Sequence, residues 1–265
     1  MKKAKDFIFD NRSLSSFGMI LCRFDSSGLE TIDGISITFN TIPTMNGQKY
    51  ELTNVQYEDC LETTLQICKH SCADGIQEIT PSEYREISKW LGRKKFLKLK
   101  FLDEYHIDLY YEAAFTNINK IELEGRLYGL ELTVITNRPF ALLEEKEITI
   151  ENKEKNGKHS INDASYEEGY IYPHVEITIS EKGDLNIYNT IEDRNTLIKN
   201  CVVGEVITMD YPVIQSSLSS HKIQNDFNWN FFRIANNYNN SRNDLIISLP
   251  CTIKMVYSPI VKVGL

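Results

Sequence analysis

Apolar and polar side chains alternate over short stretches along most of the chain, and only one stretch carries a strong helical period. Alternation with period two is what a half-buried strand requires, because successive side chains point to opposite faces. The clearest case is residues 61–69, where Leu61, Thr63, Leu65 and Ile67 share one face and Glu62, Thr64 and Gln66 the other. Residues 17–24 read as a short buried strand entered through Gly18, and the residues before them as an arm with little core of its own. Residues 35–39 alternate and then leave into Pro43-Thr44-Met45-Asn46-Gly47, whose Asn-Gly pair readily takes positive φ. Leu97, Leu99 and Phe101 alternate with Lys98 and Lys100. The basic cluster from Arg93 onward therefore reads as a solvated strand face, or one meeting an acidic neighbour. Further strands are expected at 107–111, 118–123 and 127–135, the last ending at Pro139-Phe140 because proline cannot continue the pairing.

Thr80-Pro81-Ser82-Glu83 holds the strong helix signal. Thr80 can cap, proline suits the first helical position and Glu83 can return a hydrogen bond to the cap. The spacing predicts a single helix over 81–91, stopped at Gly92. Tyr84, Ile87, Trp90 and Leu91 fall on one face, so this helix lies on a sheet with Trp90 as its largest anchor.

Charge is dense from Glu144 to Glu168, and Asn156-Gly157 suggests a hairpin between 148–152 and 158–161. Beyond it, strands at 173–179, 185–189, 195–200, 206–209, 245–248 and 252–257 recur with turn residues between them, the spacing of a β-sandwich. Two domains follow, 1–145 and 146–265. The strand near 251–257 can complete the second sandwich or return to the first domain.

Composition agrees with a mainly β class: tyrosine and phenylalanine are plentiful at 14 and 12, and 42% hydrophobic residues suffice for one large core or two ordinary ones. The net charge of −8 has no basic platform in either half, which argues against affinity for a phosphate backbone. Asp6 and Asp10 interrupt the apolar stretch a signal peptide needs, and no apolar run is long enough to span a bilayer. The chain is expected to be made in the cytoplasm, to stay soluble and to have no membrane partner. Its six cysteines, Cys22, Cys60, Cys68, Cys72, Cys201 and Cys251, read as free thiols.

Constellations that carry chemistry are missing from the pattern. There is no phosphate loop or nucleophile elbow, and His70, His106, His159, His174 and His221 form no ligand pair. Cys68, His70 and Cys72 lack the second ligand pair a metal would need. Glu144-Glu145 and Glu192-Asp193 are sequence neighbours, but a glycosidase needs two carboxylates at a set distance in space, which adjacency does not report. No catalytic residue, metal or cofactor is therefore assigned, and no enzyme activity is expected. Residues 225–240 interleave asparagine with Phe227, Trp229, Phe231, Phe232 and Tyr238. Such a mixture can serve carbohydrate through ring faces and amides, or be core aromatics bounded by loop asparagines.

Several short motifs then recur in a consistent order. Phe39-Asn40-Thr41-Ile42-Pro43, Asn46-Gly47, Tyr57-Glu58, Leu65-Gln66-Ile67-Cys68-Lys69 and the Trp90-Leu91 helix end are followed by Leu127-Tyr128-Gly129-Leu130-Glu131-Leu132 and Asn137-Arg138-Pro139-Phe140. Gly169-Tyr170-Ile171-Tyr172-Pro173, Gly183-Asp184-Leu185, Gly204-Glu205-Val206-Ile207, Asp226-Phe227-Asn228 and Tyr257-Ser258-Pro259 continue the series. The chain thereby resembles, over nearly its whole length, the distal tail proteins of siphophages. The resemblance implies an N-terminal β-barrel or sandwich related to tail-tube folds, with one helix, and a C-terminal galectin-like β-sandwich. It also implies a homohexameric ring hub that joins tail tube to baseplate or tail tip, in a phage or a tail-like bacteriocin, around a channel that passes DNA without specific binding. The partners implied are the chain itself, the tail tube protein, a tail-associated lysin or tip protein, and receptor-binding proteins. The alternative is a carbohydrate-binding adhesion module of the baseplate. Trp229 and Arg233 match part of the galectin sugar pattern, without the glutamate expected between them, and are the candidate ligand or partner surface.

Overall fold

The computed structural model describes residues 5–24, 37–43, 50–57, 60–69, 77–102, 108–237 and 241–263. It divides into two compact units, Met1–Leu143 with Val261–Leu265, and Glu144–Ile260.

In the first unit the strands are β1 (Phe7–Phe9), β2 (Arg12–Ser13), β3 (Met19–Cys22), β4 (Ile37–Pro43), β5 (Tyr50–Tyr57) and β6 (Glu62–Lys69), then helix α1 (Pro81–Leu91). They are followed by β7 (Leu97–Phe101), β8 (Leu109–Leu123), β9 (Arg126–Thr136) and β10 (Ala141–Leu143). One sheet runs β2-β1-β7-β8-β9-β6-β3, with β10 paired to β8. Among the described residues β4 and β5 pair with each other alone, as a separate two-stranded sheet. β6 keeps the expected alternation, Leu65 and Ile67 being buried and Glu62 and Thr64 exposed.

α1 forms as its sequence dictates. The Thr80 hydroxyl accepts from the Glu83 N–H while the Glu83 carboxylate accepts from the Thr80 N–H at 2.7 Å, and Pro81 opens the helix. Gly92 does end it, but not through a left-handed angle, since its φ is −72°. Glycine is needed there because a Cβ would stand 2.7 Å from the Ser88 carbonyl oxygen. Ile87, Trp90 and Leu91 are buried, and Trp90 Nε1 donates to the Phe9 carbonyl at 2.9 Å while its ring stacks between Phe7 and Phe17. Burying each such side chain contributes roughly 1.5–3 kcal/mol.

Two expectations for this unit need correction. The segment before residue 17 is not an arm: Phe7, Phe9 and Leu14 are fully buried, because Trp90 needs aromatic partners and β1 supplies them beside β7. The strands expected at 107–111 and 118–123 belong, from Leu109, to one strand of 15 residues, with Ile107 outside the described residues. A bulge at Thr116, between the pairs Phe115–Val134 and Asn117–Thr133, shifts the alternation midway and makes one strand read as two.

The second unit holds β11 (Lys146–Asn152), β12 (Gly157–Asn162), β13 (Gly169–Ile171), β14 (His174–Ile179), β15 (Gly183–Asn189), β16 (Arg194–Cys201), β17 (Val206–Asp210) and β18 (Val213–Ser216). A single helical turn, α2 (Ile223–Asp226), precedes β19 (Ile234–Asn236), β20 (Arg242–Ile247) and β21 (Cys251–Tyr257). A five-stranded sheet, β11-β21-β14-β17-β18, and a four-stranded sheet, β12-β20-β15-β16, pool their inward side chains into one core; Ile177, Ile207 and Ile253 come from the first, Leu185, Ile198 and Leu245 from the second. β13 and β19 form a small sheet of their own.

Asn156-Gly157 does turn the chain, with Asn156 at φ 59°, yet it makes no hairpin. β11 pairs with β21 and β12 with β20, so the turn carries the chain from one sheet to the other. The strand at Cys251–Tyr257 lies between β11 and β14 in the second unit, and the chain re-enters the first unit at Val261, where β22 (Ile260–Val261) pairs with β10.

Candidate functional site

The asparagine and aromatic segment divides its labour. Phe227, Phe231 and Phe232 are buried in the core of the second unit, whereas Trp229 is 57% exposed. Asn228 fixes this arrangement: its backbone N–H donates to Leu197 O, its side-chain oxygen accepts from the N–H groups of Leu197 and Asn230, and its amide donates to Asn195 O. The side-chain oxygen thus bridges across Trp229 and holds it at φ 59°, a left-handed angle that a bulky residue adopts only at a cost. Tyr238 lies outside the described residues.

A row of rings extends from this loop. Trp229 and Phe227 each approach Phe231, Phe231 meets Tyr211 edge-on at 5.3 Å, and Tyr211 stacks on Tyr172 at 4.3 Å. The Arg233 guanidinium lies 3.4 Å over the Tyr170 ring. Its Nε and Nη2 donate to Glu192 Oε1 at 2.8 and 2.5 Å, and Glu192, from the β15–β16 turn, has only 8% of its side chain exposed. Burial opposes the Arg233 charge, but Glu192 and Tyr172 outweigh it and raise the pKa of the guanidinium.

Elsewhere in this unit the fully buried Glu205 accepts hydrogen bonds from the Ser216 hydroxyl at 2.5 Å and the Val202 N–H at 3.0 Å, and His221 Nδ1 lies 2.6 Å from it. Burial pushes the Glu205 carboxyl up, yet these three partners bring it below the ordinary carboxylate range. His221 Nε2 lies 3.2 Å from Asp226 without hydrogen-bond alignment. Here the serine serves the carboxylate and not the imidazole, so no nucleophile is activated. The described cysteines are free, and burial pushes Cys201 to about 11 and Cys251 to about 12, which leaves both as unreactive thiols. Among the described residues no group of three His, Cys, Asp or Glu side chains could hold a metal ion, and no helix is long and apolar enough to cross a membrane. His70 and Cys72 lie outside the described residues.

Two family models together cover almost the whole chain. A phage tail protein N-terminal domain matches residues 2–138, and a phage tail C-terminal domain matches residues 140–257. The chain belongs to this phage tail protein family. Among solved structures, this tail protein is similar to the Dit protein (gp 19.1) of phage SPP1, described as a paradigm of the hub adsorption apparatus in phages that infect Gram-positive bacteria. The likeness covers 97% of this chain and 99% of that one, with a TM-score of 0.62 and 12% identity, and shows a shared distal-tail-protein fold. A chain of the phage p2 baseplate in its activated conformation is also similar, at a TM-score of 0.45 and 12% identity over 96% of this chain and 98% of that one. No curated protein matches the sequence.

Trp229 and Arg233, the two residues singled out from the sequence, are linked in this tail protein through Phe231, Tyr211 and Tyr172. Sequence reasoning missed Tyr170, Tyr172 and Tyr211 as members of the row. It noted Glu192 only as part of an acidic pair, and the carboxylate reaches Arg233 across 41 residues of chain. The one local hint was the Tyr170-Ile171-Tyr172 spacing at the end of β13, which favours placing both tyrosines on one side of an extended segment.

Proposed function

We propose that this tail protein is a structural distal tail component, a ring hub that joins the tail tube to the baseplate or tail tip and surrounds the DNA channel. The observation that carries the reading is the end-to-end likeness to the SPP1 Dit protein, over 97% of one chain and 99% of the other, in a member of a phage tail family. In this reading residues 1–145 form the ring, as a tail-tube-like domain, and residues 146–265 are a galectin-like sandwich.

The β4–β5 sheet supports a ring. Among the described residues this pair belongs to no larger sheet, an arrangement that is marginal in water by itself, and it exposes Ile37 at 43% and Phe39 at 62%. Cover from a neighbouring copy would give these two side chains apolar surroundings. β2 and β3, at the ends of the main sheet path, offer backbone edges to a neighbour. A heterologous contact of this kind, repeated until it closes, makes a ring. The net charge of −8 suits a channel that DNA must pass without adhering.

The partners in this reading are five further copies of the chain, the tube protein, a tip protein or tail-associated lysin, and receptor-binding proteins. The protein would be made in the host cytoplasm and end in the virion tail or a tail-like particle, with structural work and no catalysis. Electron microscopy of the purified full-length chain tests the assembly. Annular particles with an open centre are expected; fields of isolated single subunits at every concentration would overturn the ring.

A further inference from the structure

We propose that the second unit carries a glycan-binding strip built by Tyr170, Tyr172, Tyr211, Trp229, Arg233 and Glu192, with a neutral hexopyranose polymer as its ligand. This goes beyond the hub reading and does not depend on ring assembly.

Exposure is the first argument. Single apolar side chains on a surface need no explanation, but Tyr170, Tyr172, Tyr211 and Trp229 are 56%, 36%, 55% and 57% exposed and are joined through the buried Phe231 and the Arg233 side chain. Each of these rings also carries a single O–H or N–H, so the strip pairs apolar faces with isolated polar atoms.

Backbone conformation is the second. A tryptophan wanted only for the core could sit at an ordinary angle and point inward, as Phe227 and Phe231 do on either side of it. Trp229 instead holds φ 59°, fixed by the Asn228 side chain, and presents its ring to solvent. A strained angle over-determined by its surroundings marks a presented side chain.

The third is the Arg233–Glu192 pair. Glu192 receives both guanidinium bonds on Oε1, and its buried Oε2 has no hydrogen-bond partner among the described residues. A buried carboxylate oxygen without a donor is costly, so unused acceptor capacity lies just beneath this end of the strip. The two charges neutralise each other, so the pair offers no free positive charge to hold an anionic sugar.

A pyranose ring complements these features. Its axial C–H groups form an apolar, slightly positive face that stacks on the negative face of an aromatic ring, while its equatorial hydroxyls both donate and accept. A linear polymer repeats that face and can lie along several rings at once. A protein partner would want a closed hydrophobic centre, and here an ion pair lies at one end of the row.

The test uses the full-length chain with soluble tetrasaccharides of glucose, galactose and N-acetylglucosamine as probes. Of the two tryptophans Trp90 is buried, so a change in intrinsic fluorescence reports on Trp229. At least one probe is expected to bind with a Kd of about 1 mM or tighter. Ligand-observed NMR should show binding weakened about tenfold or more, roughly 1.4 kcal/mol, by both Trp229→Ala and Tyr211→Ala. Both side chains are more than half exposed, so thermal unfolding should stay unchanged in the variants. Absence of binding to every probe at concentrations about tenfold above that Kd would overturn the proposal. So would binding that survives both substitutions, or self-association of the chain that Trp229→Ala abolishes, which would assign the strip to a second copy.

Discussion

At the scale of single residues, what the sequence conveys depends on how far away the partner lies. Trp229 and Arg233 stand out because they match part of the galectin sugar pattern, but their surroundings come from Tyr170, Tyr211 and Glu192 in three other segments of the chain. No local pattern encodes those distances, so the pair is legible and the strip is not. Glu205 is a second case: in sequence it is an ordinary glutamate after a glycine, and only the fold encloses it with Ser216 and His221. Because its folded pKa is depressed, its stabilising contribution is complete above the ordinary glutamate value of about 4.3 and is lost as pH falls through the lower folded value. Glu205→Gln should therefore lower stability by about 1–3 kcal/mol at neutral pH, through weakened or unmet buried hydrogen bonds. Urea unfolding of both proteins checks this, and the gap between them should narrow as the pH is taken toward 3.

At the scale of elements, those defined by neighbouring residues were readable. α1 begins and ends where its cap, proline and glycine put it, because all the groups involved lie within one turn of each other. Thr80→Ala breaks both halves of that capping box and should cost about 0.5–2 kcal/mol, measured as a lowered denaturant midpoint with an unchanged slope. β6 was readable for the same local reason, its alternation matching its burial. Sequence pattern and structure part where distant pairing partners or packing decide. The Asn156-Gly157 turn is a turn in any context, but whether the flanking strands pair with each other is settled by β20 and β21, nearly a hundred residues away. In sequence the segment of β1 reads as an arm with little core of its own, and only the packing of Trp90 on Phe7 and Phe9 makes it part of the core. The bulge in β8 shifts the alternation at Thr116, so a pattern read two residues at a time divides one strand into two.

At the scale of the whole molecule, the mainly β class and the long chain of weak motifs pointed the same way, and the family match and the end-to-end likeness to a hub protein agree with them. None of those motifs is specific alone; their common order over both halves carries the information. The central claim concerns what one chain does with its copies, because a hub works through surfaces that only assembly completes. Light scattering coupled to size-exclusion chromatography of the full-length protein measures this most directly. A closed ring predicts a particle mass about six times the 30.6 kDa of the chain, stable on dilution; a single species of 30.6 kDa at the highest concentration reached would contradict it.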